Sequence, residues 1–430
     1  MVSVTPITMF LVLLALILLK VPVSFSLLIT SAIFALTLWG ERGLYTLYHS
    51  FYTMMNNWVL VALPLFVFMS AVLEKSGVVE EMFQPLSKIL GKYRGSLAII
   101  AVILGFAIGA MSGVVAAATA ALALVVYPLM ARARYDKKLS VGSVLAAGTL
   151  PQIVPPSTNA IMYGAVAGVS VGGIFAGGLV LGAIMAVLFS IYIAIWSWLN
   201  KDKVPVISIS EASLGEKILS LRYLVGPLLI ILSVLGSIFT GIATPTEASG
   251  VGALASLIYV AARRRLSRKN LVDSLVTTIK VTSMACWLMA AGGAFSSIFS
   301  AVGGRVMVLN AMLNLPRAEL LAPTISVLLI FVLGMFIDPV SIIMILGPIL
   351  DPVIRSLGYN PVWWGVIFCG TLITSYVTPP VGMGLYYFKG VVGEEVPMAE
   401  IFKSVFPYVG LMLISIAIVF LKPDLVLWFR

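Results

Sequence analysis

The chain has 430 residues, 61% of them hydrophobic and only 10% charged, with a mean hydropathy of +1.11. That excludes an ordinary soluble domain and calls for a polytopic inner-membrane protein whose apolar runs approach the about 20 residues that span a bilayer. One histidine (His49), two cysteines far apart in apolar runs (Cys286 and Cys369) and the lack of a GxxxxGK[ST] loop exclude a disulfide framework, an ordinary transition-metal site and P-loop ATP hydrolysis.

In chain order, the first apolar segment runs from Thr5 to Leu19. It has neither a basic stretch before it nor an Ala-x-Ala-like site after it, so it reads as a retained helix of about residues 5–20 rather than a signal peptide. Further helices are expected over about 22–39 and 57–73. Residues 80–92 mix Glu80, Glu81, Lys88 and Lys92 with helically spaced Met82, Phe83, Leu86, Ile89 and Leu90, the pattern of an amphipathic helix lying in the interface. Residues 97–130 are apolar but interrupted at Gly109, Ser112 and Gly113, with Arg94 and Arg132 at the two ends. Two basic ends and a small-residue tip suggest a re-entrant hairpin, with a full spanning pair as the alternative that length allows. A proline-broken helix over 140–168 and a long helix over 172–199 close the first half.

The second half runs through 221–240, 245–262 and 274–297, then an interfacial helix over 304–314, a hairpin over 320–353, a second broken helix over 360–388 and a last helix over 400–421. Thr244-Pro245-Thr246-Glu247 has the form of a capping box with proline at the first helical position. The reading divides into scaffold helices with an interfacial arm over 1–94, transport elements over 95–200, a second scaffold set over 201–318, and second transport elements with the last helix over 319–430.

The net charge of +10 comes from basic residues in short loops, such as Arg132, Arg134, Lys137 and Lys138, or Arg263, Arg264, Arg265, Arg268 and Lys269. This is a topology signal, and no nucleic-acid partner is implied. With these spans, all of the 27 Lys and Arg residues fall on one side except Arg42, Arg305, Arg317, Arg355, Lys422 and Arg430. The basic side is then cytoplasmic, both termini lie outside, and the two hairpins enter from opposite faces.

The halves also repeat. Pro155 and Pro156 recur as Pro379 and Pro380, an offset of 224 that Pro128/Pro352, Tyr135/Tyr359 and Tyr163/Tyr387 share. Because proline lacks an N–H, these pairs free the carbonyls of Pro151, Gln152, Ser375 and Tyr376, a loss that hydrocarbon tolerates only where backbone lines a cavity or binds an ion. Hydroxyls and amides surround both breaks: Ser157, Thr158 and Asn159 in one half, Thr374, Ser375 and Thr378 in the other. Neutral oxygen-rich sites suit Na⁺, and the half-helix N-termini after each break suit an anionic substrate. Asp338, between Gly334 and Pro339, is an acid at a hairpin tip and a candidate for the same site. Lys280, near a helix end, is expected to snorkel to the interface.

The stretches 109–130, 148–182, 243–254, 334–368 and 378–390, including GTLPQIVPPSTNA, ATPTEASGVGAL, GMFIDPVSIIMILGP and TPPVGMGLYYFKG, resemble the large membrane subunit of DctM-like TRAP transporters, the tripartite ATP-independent periplasmic transporters. The resemblance covers nearly the whole chain. It implies an all-α fold of the ion-transporter superfamily, with about 11 spanning or broken helices, two oppositely oriented re-entrant hairpins, an inverted repeat and an elevator mechanism. It implies Na⁺-driven import of an organic anion such as a C4-dicarboxylate or sialic acid, with no cofactor. The expected partners are a periplasmic DctP-like binding protein and a small four-helix DctQ-like membrane subunit, separate here because Met1 leads straight into the first helix.

Carried over by position, Ser112 and Gly113 with Pro155, Pro156 and Ser157 form one expected Na⁺ site, and Gly334 to Asp338 with Thr378, Pro379 and Pro380 the other. Many relatives have a serine-rich first tip where this chain reads Ser112-Gly113-Val114-Val115. Gln152 and Asn159 stand where apolar residues are usual and are candidate substrate contacts, with Ser375 and Gly382 beside the second break. Rival readings are a stand-alone Na⁺-coupled carboxylate symporter of the same superfamily and an ion channel or exchanger. An intramembrane enzyme is disfavoured, for there is no His-x-x-x-His, no Gly-x-Ser-x-Gly and no aspartate pair.

Overall fold

Apolar runs punctuated by Gly, Pro and short polar caps set the helix boundaries in the computed structural model, which describes residues 4–90, 93–206 and 222–428. Every regular element among the described residues is helical. The first half holds α1 (Val4–Leu18), α2 (Val23–Trp39), α3 (Glu41–Met55), α4 (Ala62–Lys75), α5 (Val78–Leu90), α6 (Ser96–Ser112), α7 (Val115–Val125), α8 (Tyr127–Arg132), α9 (Lys137–Thr149), α10 (Thr158–Ala167) and α11 (Val171–Leu199). The second holds α12 (Arg222–Phe239), α13 (Pro245–Ala262), α14 (Arg268–Ala301), α15 (Gly304–Leu313), α16 (Ala318–Gly334), α17 (Pro339–Ser356), α18 (Pro361–Tyr376), α19 (Met383–Val392) and α20 (Met398–Leu421).

The expected segments match these bounds closely, with one omission. Residues 41–55 fold as α3, an amphipathic helix whose Tyr45, Tyr48 and Tyr52 are exposed while its other side packs on α2 and α14. Starts are set by caps. The Thr244–Glu247 capping box forms in full, Thr244 N–H donating to Glu247 Oε2 at 2.8 Å and Glu247 N–H to Thr244 Oγ1 at 3.3 Å. Asn360 Oδ1 accepts from Val362 N–H at 2.8 Å ahead of Pro361, the first residue of α18.

The offset of 224 carries into the folded elements. α7 and α8 together, Val115–Arg132, superpose in number on α17, Pro339–Ser356, end for end, and Lys137 at the start of α9 answers to Pro361 at the start of α18. Both repeated prolyl bonds, Pro155–Pro156 and Pro379–Pro380, are cis. The halves differ in one place: α3 and α4 are two helices, whereas their counterpart is the single 34-residue α14.

Outward faces carry many large apolar side chains. On α11, Val187, Ile191 and Ile195 are exposed while Met185, Phe189 and Ile193 are fully buried, the arrangement of a helix solvated by lipid. Six segments among the described residues are long and apolar enough to cross a membrane, and they include Val115–Arg132 and Pro339–Ser356, the second arms of the two hairpins. At the opposite extreme of polarity, Glu81 on the α5 arm pairs with Arg263 at 2.7 Å and Arg265 at 2.6 Å, tying the first half's arm to the loop after α13.

Candidate substrate and ion site

Each hairpin tip presses on the broken helix of its own half. Gly113 ends α6 at φ +61°, and a Cβ there would overlap the carbonyl oxygen of Pro156; Thr158 Oγ1 donates to the Gly113 carbonyl at 3.2 Å. In the second half, a Cβ on Gly334 would overlap Ser375 Oγ, and Gly382 N–H donates to the Met335 carbonyl at 3.2 Å. The predicted pairings of tip and break are thus brought together in both halves. The helices beyond the breaks then cross over: α10 packs on α17, the opposite hairpin, and α19 packs on α7.

This exchange draws four helix N-termini to one place. A cavity of about 260 Å³ is lined by Val115 and Ala116 of α7, Thr158 and Asn159 of α10, Pro339 and Val340 of α17, and Met383 of α19. Gln152, Asp338, Tyr376 and Tyr387 are among the other residues of those walls, and Val281, Met284 and Ala285 of α14 also line it. Among the described residues, no lysine or arginine lines it. Aligned peptide dipoles give each N-terminus a partial positive charge, which stands against the Asp338 carboxylate on the same wall without any basic side chain among the described residues.

The caps of those four helices are uneven. Ser157 Oγ accepts from Ala160 N–H at 3.2 Å at the start of α10, and Asp338 Oδ1 accepts from Ser341 N–H at 3.0 Å at the start of α17, its other oxygen taking the Ser341 hydroxyl. The N-cap residues of α7 and α19, Val114 and Gly382, supply no side-chain cap of their own. Asp338 therefore serves as a helix cap and lines the cavity at the same time.

The freed carbonyls are partly satisfied within the fold. The Gln152 carbonyl accepts from Ser157 Oγ, and the Ser375 carbonyl accepts from Thr378 N–H at 3.0 Å. The hydroxyls of Thr374 and Thr378 donate back to the carbonyls of Gly370 and Thr374 at 2.8 and 2.7 Å, so their protons are engaged and only oxygen lone pairs remain to accept. Pro155 and Pro156 are buried, Pro379 is half-buried and Pro380 exposed, so the second break is the more open of the two. The side chain of Ser112 lies outside the described residues.

Of the four expected substrate contacts, Gln152 and Asn159 line the cavity and Ser375 and Gly382 do not. Ser375 is fully buried with its hydroxyl on the Leu372 carbonyl at 2.8 Å, and Gly382 is held by its N–H bond to the tip. Both join tip to break. Gln152 Oε1 and Asn159 Nδ2 are buried and have no hydrogen-bond partner among the described residues.

Asp351 was not anticipated from sequence. It is 5% exposed, accepts from the Tyr163 hydroxyl at 3.4 Å and from Arg355 Nε at 2.6 Å, and Arg355 donates onward to the Ala167 carbonyl at 2.9 Å. This chain of contacts clamps α10 to α17. The i, i+4 spacing of Asp351 and Arg355 was the available signal.

The family profile described as "Tripartite ATP-independent periplasmic transporter, DctM component" matches residues 10–425. The chain belongs to this DctM family. Among its relatives are the C4-dicarboxylate TRAP transporter large permease protein DctM of Vibrio cholerae, 27% identical over 98% of this chain and 96% of that one, and the ectoine/5-hydroxyectoine TRAP transporter large permease protein UehC of Ruegeria pomeroyi, 27% identical over 98% of each. Equal identity to permeases named for such different cargo means that membership alone does not specify this permease's substrate. In fold it is similar to the YdaH transporter of Alcanivorax borkumensis, with a TM-score of 0.64 at 16% identity over 90% of this chain and 88% of that one. DctM proteins are transporter permeases, a class distinct from enzymes, and this one is a multi-pass membrane protein.

Proposed function

We propose that this DctM protein imports a small organic anion, a carboxylate, across the bacterial inner membrane, driven by Na⁺. The cargo is handed over by a periplasmic binding protein, and a small membrane subunit completes the complex. The observation that carries the reading is the convergence of four helix N-termini on a cavity that holds no basic residue among those described. Such a cavity attracts a carboxylate through backbone dipoles.

Na⁺ enters at the two contacts of tip and break. Around Gly113 and Ser157 in one half, and around Asp338 and Thr378 in the other, carbonyl, hydroxyl and carboxylate oxygens gather without a soft ligand, the donor set of a hard cation. The hairpins enter from opposite membrane faces, both termini lie outside, and the hairpins and broken helices move as one elevator body against a scaffold that includes α14. The tie of α10 to α17 and of α19 to α7 favours a single moving unit.

Uptake into proteoliposomes holding the permease, its small subunit and its binding protein is the test. Accumulation of a carboxylate is expected only with an inward Na⁺ gradient, and accumulation undiminished without that gradient would overturn the coupling. The Asp338→Asn variant keeps an acceptor for the Ser341 amide but loses the charge, so it should need more Na⁺ for half-maximal uptake. An unchanged Na⁺ dependence would remove Asp338 from the ion site.

A further inference from the structure

A second cavity, of about 340 Å³, is apart from the cargo site and apolar throughout. Phe10 of α1, Phe299 of α14, Val308 and Met312 of α15, Leu333 of α16 and Leu346 of α17 are among its walls. Around it α1 and the α15 arm meet both arms of the second hairpin. A hydrocarbon-lined space of this size stays dry and takes an apolar guest.

Its shape narrows the choice of guest. Ile7 and Leu11 line the cavity and are also 50% and 57% exposed, so it opens on the outer surface of α1. A smaller apolar pocket shares Phe10, Leu333 and Leu346 with it and continues along α1 to Ile17, reaching Ile337 beside Asp338 of the hairpin tip. The 11 residue steps from Pro6, in the first pocket, to Ile17, in the second, rise about 16 Å, roughly half of the about 30 Å hydrocarbon core. That is the depth of one leaflet and the reach of one lipid tail. A helix from another chain does not enter, for a single turn about 10 Å across and about 5.4 Å long already exceeds the volume.

One charge stands at the same place. Val308 and Met312 follow Arg305 by three and seven residues, which puts all three on one face of α15. A Cβ on Gly304 would meet the Phe299 ring at 2.5 Å, so the Arg305 end of the helix rests against a cavity wall. Arg305 is exposed and makes no hydrogen bond or ion pair among the described residues. In the topology read from the sequence it is also one of the few basic residues on the outer side, where the cytoplasmic charge bias gives it no role.

We propose that this seam binds one phospholipid of the surrounding bilayer, with its phosphate at Arg305 and one acyl chain in the cavity, running toward the second hairpin tip. The site is independent of the cargo cavity and stands whether or not the cargo is a carboxylate.

The test is native mass spectrometry of the full purified chain in mild detergent, titrated with palmitoyl-oleoyl phosphatidylglycerol. The matched diacylglycerol is the probe without phosphate, and glycerol 3-phosphate the probe without chains. The wild type should take one phosphatidylglycerol at least about tenfold more tightly than diacylglycerol, as a hydrogen bond to a charged group allows, and glycerol 3-phosphate not measurably. Arg305→Gln, at an exposed position, should remove the preference over diacylglycerol. Val308→Trp puts an indole into the cavity from a half-buried position and should abolish binding of both lipids, and Met312→Trp repeats the block one turn further on. Thermal unfolding without lipid shows that each variant is folded. Lipid binding undiminished in both tryptophan variants overturns the proposal, as does a phosphate preference that survives Arg305→Gln. A wild type that binds no phospholipid, or that holds a second copy of the chain in its place, overturns it as well.

Discussion

Gly113 works under two separate demands. Its φ of +61° lies in the left-handed region, and its missing Cβ leaves room for the Pro156 carbonyl that the hairpin tip must approach. The first demand alone costs a non-glycine residue about 1–2 kcal/mol. Gly168 supplies the control, with φ +64° but nothing within 4 Å of where a Cβ would sit. Gly113→Ala should therefore lower Tm clearly more than Gly168→Ala, and should disable transport while Gly168→Ala leaves it near wild type. Equal thermal shifts in the two variants would mean that tip and break are not in contact in the folded protein. The same logic applies to Gly334 against Ser375, where backbone φ is ordinary and the demand is close approach alone.

Between elements, the clamp of α10 on α17 depends on one buried carboxylate. Asp351 is nearly buried, whereas the Arg355 side chain is 42% exposed, so solvent screens part of their attraction. Breaking a fully buried pair costs about 3–5 kcal/mol, and the exposure of Arg355 brings the expectation for Asp351→Ala to about 1–3 kcal/mol. Tyr163→Phe removes only a hydroxyl bonded at 3.4 Å and should cost well under 1 kcal/mol. Thermal unfolding of the two variants checks the order, and a Tyr163→Phe effect as large as that of Asp351→Ala would shift the clamp from the ion pair to the phenol. Of this clamp only the i, i+4 spacing of Asp351 and Arg355 was open to sequence reasoning, because the bond from Tyr163 to Asp351 joins residues 188 apart across the two halves. What the sequence did disclose were local devices: the capping box at Thr244, the acid before Pro339, the repeated prolines and the apolar lengths. Helix α3 escaped notice because it is too polar to read as a span, although Leu44, Leu47, Phe51 and Met54 follow helical spacing. Gln152 and Asn159 were visible only as unusual residue types; that both residues line one cavity required the fold.

For the molecule as a whole, the informative departure from its internal repeat is α14. The first half breaks this element between α3 and α4, while the second keeps it continuous, and the continuous helix packs on α2, α3 and α4 on one side and on α17 on the other. It also closes the cavity through Val281, Met284 and Ala285. The body proposed to move, both hairpins and both broken helices, would slide along this helix, and the cavity wall at Ala285 would then change neighbours. The chain carries its own reporter there. Cys286 is the next residue, half-buried on α14, while Cys369 is fully buried inside α18 within the proposed moving body. A thiol at a sliding interface alternates between covered and open, whereas one in the packed core of the moving body stays covered throughout. Modification of Cys286 by a membrane-permeant maleimide should therefore change in rate when Na⁺ and cargo are added, with Cys369 unreactive in every condition and the Cys286→Ser variant as blank. A Cys286 rate indifferent to Na⁺ and cargo would argue that α14 and its neighbours keep one arrangement, and that access to the cavity is switched by the hairpin tips alone.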